Sequence, residues 1–320
     1  MFRLHHRNIL TGFAVLLVAS TLRADAPTTQ PIEPAQFMRF DDHGQAGGSL
    51  QTAVVTYRNA AGQTVRLVAA IHIAEAGYYQ QLNRDFASDD AVLYELVAPK
   101  DSPIPKPGAD AASDNPVSEL QHFMKDALNL SFQLDVIDYT RPNFVHADLD
   151  KETFERLQEE RGETFEMLFV RQLMDAFTKP QPADDNADPE QTADQLIQML
   201  TRPDGDRQIK LVVARQLTDM QNSGKGMDAL AGTVLLGERN KTALKVLATT
   251  LASGKQRISI FYGAAHMPDL ATNLKTMGFT PIACEWKTAW DLTIRPDEPS
   301  AIEKFLTEAV HAFSSSDDQN

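Results

Sequence analysis

The fold is decided by the stretch Ile258-Ser259-Ile260-Phe261-Tyr262-Gly263-Ala264-Ala265-His266-Met267-Pro268-Asp269-Leu270. Residues 260–263 carry no charge, which is typical of a strand buried on both faces of a mostly parallel sheet. Gly263 lets the chain turn where a Cβ would obstruct it. His266 follows just past the carboxyl end of the strand, where open α/β sheets bind their ligands. The position of His266 therefore favours a functional role.

An apolar strand that runs into a histidine occurs a second time, in Arg66-Leu67-Val68-Ala69-Ala70-Ile71-His72. Each histidine is followed by a predicted helix and then by an apolar strand with a glutamate. Glu95 lies 23 residues after His72, and Glu285 lies 19 residues after His266. We interpret the two segments as one βαβ template used twice. Each half offers an imidazole and a carboxylate.

The amino terminus has the features of a secretory signal. Arg3 and Arg7 precede an apolar core that is shorter than the ~20 residues a membrane-spanning helix needs. We expect cleavage after Ala24 and an exported protein, periplasmic or extracellular, without a stable membrane anchor. An uncleaved anchor helix is the alternative.

The charge of the chain excludes one class of partner. The formal net charge is −14, and residues 1–24 hold three arginines and no acidic residue, so their removal takes the charge to −17. Nucleic-acid binding needs clustered Lys and Arg, and the sequence shows no such cluster. The single cysteine, Cys284, cannot form an internal disulfide and is expected to pack as a small hydrophobic residue.

With 320 residues and 42% hydrophobic side chains, the chain can form one large domain or two small ones. We predict the α/β class, with a mixed central sheet built from the two quasi-repeated βαβ units and a large helical insert. The sheet starts with a hairpin of residues 50–57 and 65–71 around the turn at 59–62. The predicted parts are a signal peptide 1–24, a flexible leader 25–48, the α/β domain 49–295 with its insert at about 117–251, and a helix with a disordered tail in 296–320.

The last helix before residue 258 carries three consecutive hydrogen-bonding residues, Glu238-Arg239-Asn240, among Leu, Val and Ala. Adjacent helical residues lie about 100° apart, so at most one or two of the three face a common site. We expect Arg239 to face it, because its planar fork of donors suits a substrate carboxylate or a developing oxyanion. Asn240 is expected to support Arg239, and Glu238 to be solvated or paired with a basic residue.

The set Ala69-x-x-His72, Glu95, Glu238-Arg239-Asn240 and Gly263-x-x-His266 resembles the TraB family, which groups with the PrgY, GumN and TIKI proteins. The resemblance covers about residues 50–294. It implies paired Gly-x-x-His motifs, a glutamate and a helical arginine around one cleft, as in the metal-dependent TIKI proteases. Here Ala69 stands where the family has glycine. Relatives of this fold also include erythromycin esterases, which are not thought to need a metal, and haem-binding ChaN-like proteins.

The residues themselves suit hydrolysis. His72, Glu95 and His266 form a mixed N/O set for a divalent cation, with Mn, Co and Zn all admitted, and such a metal makes bound water nucleophilic. Without a metal, one histidine acts as general base while the other, or Arg239, stabilises an oxyanion.

The predicted function is therefore an exported, metal-dependent, peptidase-like hydrolase acting on a peptide or small molecule. The alternatives are a non-catalytic haem- or peptide-binding protein and a metal-independent, esterase-like hydrolase. The primary candidates are His72, Glu95, Arg239 and His266. Second-tier candidates are Asn240, Glu238, Glu285, Tyr262 and His146.

Overall fold

The computed structural model describes residues 32–34, 36–108, 128–161, 205–222 and 234–294. Its strands are β1 Met38–Asp42, β2 Gly48–Arg58, β3 Thr64–Ala70, β4 Ile73–Ala74, β5 Ala91–Tyr94, β6 Ser131–Phe132, β7 Phe144–His146, β8 Arg257–Gly263 and β9 Thr280–Asp291. Its α-helices are α1 Ala76–Phe86, α2 Gln133–Val136, α3 Lys151–Arg161, α4 Gly205–Asn222, α5 Val234–Ala252 and α6 Met267–Thr276, with 3-10 turns at Gly44–Ala46 and Ala264–His266.

The strand β8 lies between two parallel neighbours, β3 on one side and β5 on the other. A fourth parallel strand, β7, pairs with the outer side of β5. Ile258, Ile260 and Phe261 of β8 are each fully buried. Burial on both faces explains why residues 258–263 carry no charge, and the prediction of a buried parallel strand is confirmed.

The antiparallel part of the sheet is built on β2, the longest strand after β9. β2 and β3 form the predicted hairpin, in which the backbone N–H of Gly62 donates to the carbonyl of Asn59 at 3.0 Å. Gly62 has a φ of +85°, a conformation that L side chains rarely adopt, so glycine is required in this turn. β1 and β3 pair with successive parts of β2, and β9 pairs with nearly its whole length. The α/β class with a mixed central sheet is confirmed.

Three details of the prediction need correction. The segment 25–48, expected to lack regular structure, contains β1, whose five residues pair with β2. The insert at 117–251, expected to be helical, contains β7, which has only three residues and so shows no readable period. The apolar runs at 280–285 and 288–294, each expected to form its own strand, belong to the single strand β9, which ends at Asp291.

The repeat of two βαβ units is not confirmed. β3 and β5 flank β8, whereas β9 lies beyond β2 and pairs with neither β3 nor β8 among the described contacts. Glu95 follows the last residue of β5, but Glu285 lies in the middle of β9. The two glutamates therefore do not occupy equivalent positions.

The 3.6-residue apolar period of the sequence predicts helices at about 119–128, 192–200 and 206–220, and a further helix that starts at Asp150. α4 covers the expected helix at 206–220, and α3 begins after Asp150, whose carboxylate accepts a hydrogen bond from the backbone N–H of Thr153 at 2.7 Å. The predicted signal peptide, most of the predicted helix at 119–128, the helix at 192–200 and the segment 296–320 lie outside the described residues. In the described ranges no helix is both long and apolar enough to cross a membrane.

Candidate functional site

Four polar side chains follow the carboxyl ends of the four parallel strands. His72 comes two residues after β3, Glu95 directly after β5, Asp148 two residues after β7, and His266 three residues after β8. Parallel strands end at the same edge of a sheet, so these residues are brought to one edge by the topology. Glu95, Asp148 and His266 are buried, and His72 is half-buried.

Arg239 of α5 joins two of these residues. Its Nε donates to Oδ1 of Asp148 at 2.9 Å, and its Nη2 donates to Oδ2 of Asp148 at 2.6 Å. The same Nη2 donates to Oε1 of Glu95 at 2.6 Å. Only 4% of the arginine surface is exposed. Arg239 therefore holds two carboxylates and does not present a free fork to a substrate, which differs from the role expected from sequence.

Glu95 is held on both of its oxygens. Oε1 accepts from Arg239, and Oε2 accepts from the backbone N–H of Gly263 at 2.6 Å. Burial opposes ionisation of Glu95. The positive charge of Arg239 and the imidazoles of His266 and His72 outweigh that effect and keep the pKa of Glu95 well below its ordinary value. Glu95 is therefore an anion at neutral pH.

His266 is oriented by a chain of two hydrogen bonds. Nδ2 of Asn240 lies 2.7 Å from Oδ2 of Asp269, a carboxylate that can only accept, so this atom is the amide nitrogen. Oδ1 of Asn240 then faces Nδ1 of His266 at 2.7 Å and must accept from it. In the neutral imidazole the lone pair is consequently on Nε2, which lies 3.5 Å from Oε1 of Glu95.

Gly263 marks the point on which the predicted residues converge. A Cβ added to Gly263 would lie 3.4 Å from Oε2 of Glu95, 3.6 Å from Nε2 of His72 and 3.8 Å from Cδ2 of His266. The ring of His72 makes no hydrogen bond to another residue of the described ranges. Its Nε2 therefore faces the same small space as His266 without a fixed partner.

The reason given for Gly263 from sequence is wrong. Its φ of −52° and ψ of 144° are open to every residue, and a methyl group would meet its neighbours at ordinary contact distances. The turn does not need glycine. The missing side chain instead leaves open the space between the two histidines.

Two second-tier residues lie at the site. Asn240 contacts His266 rather than supporting Arg239. The hydroxyl of Tyr262 donates to the carbonyl of Ala147 at 2.5 Å, and its ring packs edge-on against His266 with centroids 5.1 Å apart. Burial, with the charges of Asp148 and Glu95, raises the pKa of Tyr262 far above its ordinary value, so its hydroxyl remains protonated.

The other second-tier residues lie away from it. Glu238 is paired with Lys241 at 2.7 Å, as expected for a residue facing solvent. Glu285 is exposed on β9 and accepts from Lys287 at 2.5 Å, so the expected second carboxylate of the site is not there. His146 is exposed, and its Nε2 lies 2.6 Å from the carbonyl oxygen of Leu96.

Two acidic residues of the site were not anticipated. Asp148 follows a strand too short to recognise, although it lies only two residues after His146. Asp269 lies three residues after His266, one helical turn away, and that spacing was the only available signal.

The three predicted metal ligands lie near one another, but the carboxylate of Glu95 is already engaged. Both oxygens of Glu95 already accept hydrogen bonds of 2.6 Å, and a cation beside Oε1 would face the guanidinium of Arg239. Within the described ranges, no three His, Cys, Asp or Glu side chains form a group that could hold a metal ion. The other two predicted ligands, His72 and His266, offer ring nitrogens of the kind that bind Zn, Mn or Co. Metal dependence stays a prediction.

Comparison with models of known protein families, with curated proteins and with solved structures gave no match. The resemblance to the TraB family therefore stays a prediction, supported by the motifs alone.

Proposed function

We propose that this chain is a hydrolase that acts on peptide or related acyl bonds at the edge of the sheet where β3, β8, β5 and β7 end. One observation carries the proposal: His72, Glu95 and His266 converge on the space beside Gly263, and Asn240 orients the ring of His266.

In the proposed reaction, His266 is the general base. Its Nε2 takes a proton from water as the water oxygen attacks the acyl carbon, and the resulting imidazolium lies beside the anionic Glu95 at 3.5 Å. Glu95 stabilises that positive charge from the side of Nε2, whereas Nδ1, the nitrogen that the carboxylate of a catalytic triad contacts, here faces Asn240. The proton then passes from Nε2 to the leaving group as its bond to the acyl carbon breaks.

His72 is proposed to stabilise the oxygen that gains negative charge. Its Nε2 faces the same space as His266, and the ring makes no hydrogen bond to another described residue. An N–H donated from this atom to the developing oxyanion would act in a half-buried setting, where such a bond is worth more than in water. Arg239 contributes indirectly by holding Glu95.

The test is hydrolysis of a mixed peptide library and of a simple aryl ester by the purified chain, beside a variant that lacks both His72 and His266. We expect products from the parent and none from the variant.

Metal content and activity after treatment with a chelator are measured in the same samples. Activity that survives chelation supports the metal-free base, and activity restored only by Mn, Co or Zn establishes the predicted metal. A Soret band lost with either histidine, without turnover, would contradict the hydrolase proposal and favour haem binding.

We also propose that the protein is exported. The basic residues Arg3 and Arg7 before a short apolar core predict a mature chain that starts at about Asp25. Amino-terminal sequencing of the exported fraction is expected to read from this position. An exported chain that still begins with Met1 would overturn the prediction.

A further inference from the structure

The backbone around Asp148 is fixed by the two strands beside it. The N–H of Ala147 donates to the carbonyl of Tyr94 on β5 at 3.2 Å, and the carbonyl of Ala147 accepts from Tyr262 on β8 at 2.5 Å. Three residues after Asp148, the N–H of Lys151 donates to the carbonyl of Ala98 at 3.1 Å. These hydrogen bonds fix the backbone on both sides of Asp148 and so limit the movement of its side chain.

The side chain held in this way is completely buried, and its Oδ1 accepts from the backbone N–H of Leu149 at 2.8 Å. Both oxygens of Asp148 accept from Arg239, in the bidentate geometry that fixes a guanidinium in its plane. With that plane fixed, the Nη2 of Arg239 is also directed at Oε1 of Glu95. Asp148 has no contact with either histidine among those of the described residues.

We propose that Asp148 is a positioning residue that acts on Glu95 through Arg239. Without Asp148, the guanidinium has one carboxylate partner and regains its rotational freedom. Glu95 would then lose the geometry that places Oε1 3.5 Å from Nε2 of His266. The effect rests on the proposed function, because Glu95 matters there as the partner of the imidazolium.

The kinetic test uses Asp148→Asn, which keeps the size of the side chain but removes its charge. We expect kcat to fall about 10- to 100-fold, by analogy with the range found when the hydrogen-bonded partner of a metal-ligating residue is removed. KM should change little, because the buried side chain of Asp148 cannot reach a substrate. Asp148→Glu restores the charge and should recover part of the lost kcat.

The matched control is Asp89→Asn. Asp89 is a second buried carboxylate, bound to Arg66 at 2.6 Å and to Ser259 at 2.7 Å, but it lies at the opposite end of the parallel strands, just before β5. Its loss should destabilise the fold in a comparable way and leave kcat unchanged. Equal kinetic effects of the two variants would show that Asp148 is merely structural.

A second measurement does not depend on turnover. In the full-length protein labelled with ¹⁵N-arginine, the Nε–H of Arg239 should give a slowly exchanging signal, because it is buried and bound to Asp148. We expect this signal to disappear in Asp148→Asn and to persist in Asp89→Asn. If the parent protein hydrolyses nothing but the signals behave in this way, the proposed function fails and the positioning role stands. The inference would be overturned if both the Nε–H signal of Arg239 and kcat were unchanged in Asp148→Asn.

Discussion

Replacement of His266 by Ala is expected to lower kcat by about 10³-fold, within the range of 10²- to 10⁴-fold that a general base contributes. The variant loses the Nε2 lone pair beside Glu95, and Asn240 loses the imidazole that it orients. Steady-state kinetics on the best substrate of the peptide library measures the change. Circular dichroism and the Tm establish that the variant is folded.

The control for this prediction is His146→Ala. His146 also ends a parallel strand of the same sheet, but it is exposed and bound to the carbonyl of Leu96. Its loss should leave kcat within a factor of about two of the parent value, since substitutions away from packed or catalytic contacts usually have small effects. A His266→Ala enzyme as active as His146→Ala would remove the general base from the mechanism.

His72→Ala tests whether the two histidines work as one unit. If His72 supplies the oxyanion donor, its loss should reduce kcat by about 10²- to 10³-fold. Near-full turnover of this variant would contradict a site with two histidines. Ala69, which stands where the TraB family that these motifs resemble has glycine, would then support a decayed first motif.

The parts of the fold that were predictable are those in which a local pattern is long enough to read. β8 is seven residues of almost continuous apolar sequence, and the hairpin of β2 and β3 has turn residues between two strand-like runs. β7 is only three residues long and begins two residues after Pro142, and β1 is partly exposed. Neither strand has a period that a sequence can display, and both exist because a longer strand pairs with them.

The site divides in the same way. His72, Glu95 and His266 were predictable because each lies within three residues of the end of an apolar strand. The function of Arg239 was not, because it is set by Glu95 and Asp148, which lie 144 and 91 residues away in the chain. Glu285 was misassigned because a count of residues after a histidine does not show where a strand ends.

Replacement of Arg239 by Met is expected to lower the free energy of unfolding at pH 7 by about 3–5 kcal/mol, the cost of breaking a buried ion pair by removing one partner. Met keeps much of the volume of the side chain, so the loss reports the two carboxylates left without a cation. Denaturant titrations of the parent and the variant measure the difference. Arg66→Met, at the half-buried pair with Asp89, is the control and should cost less because its arginine is partly exposed to water.

The pH dependence separates lost charge from lost packing. In the parent, the pKa of Glu95 lies below its ordinary value of 4.5, so its stabilising contribution is present above pH 4.5 and is lost as the pH falls towards the folded pKa. In Arg239→Met, burial is opposed only by the two imidazoles and the N–H of Gly263, so the pKa of Glu95 should rise and the variant should gain stability relative to the parent as the pH falls. The two stability curves should therefore converge below about pH 4.5. A difference that stays constant from pH 7 to pH 4 would show that Arg239 stabilises the protein by packing alone, and Glu95 would then lack the fixed negative charge on which the imidazolium of His266 depends.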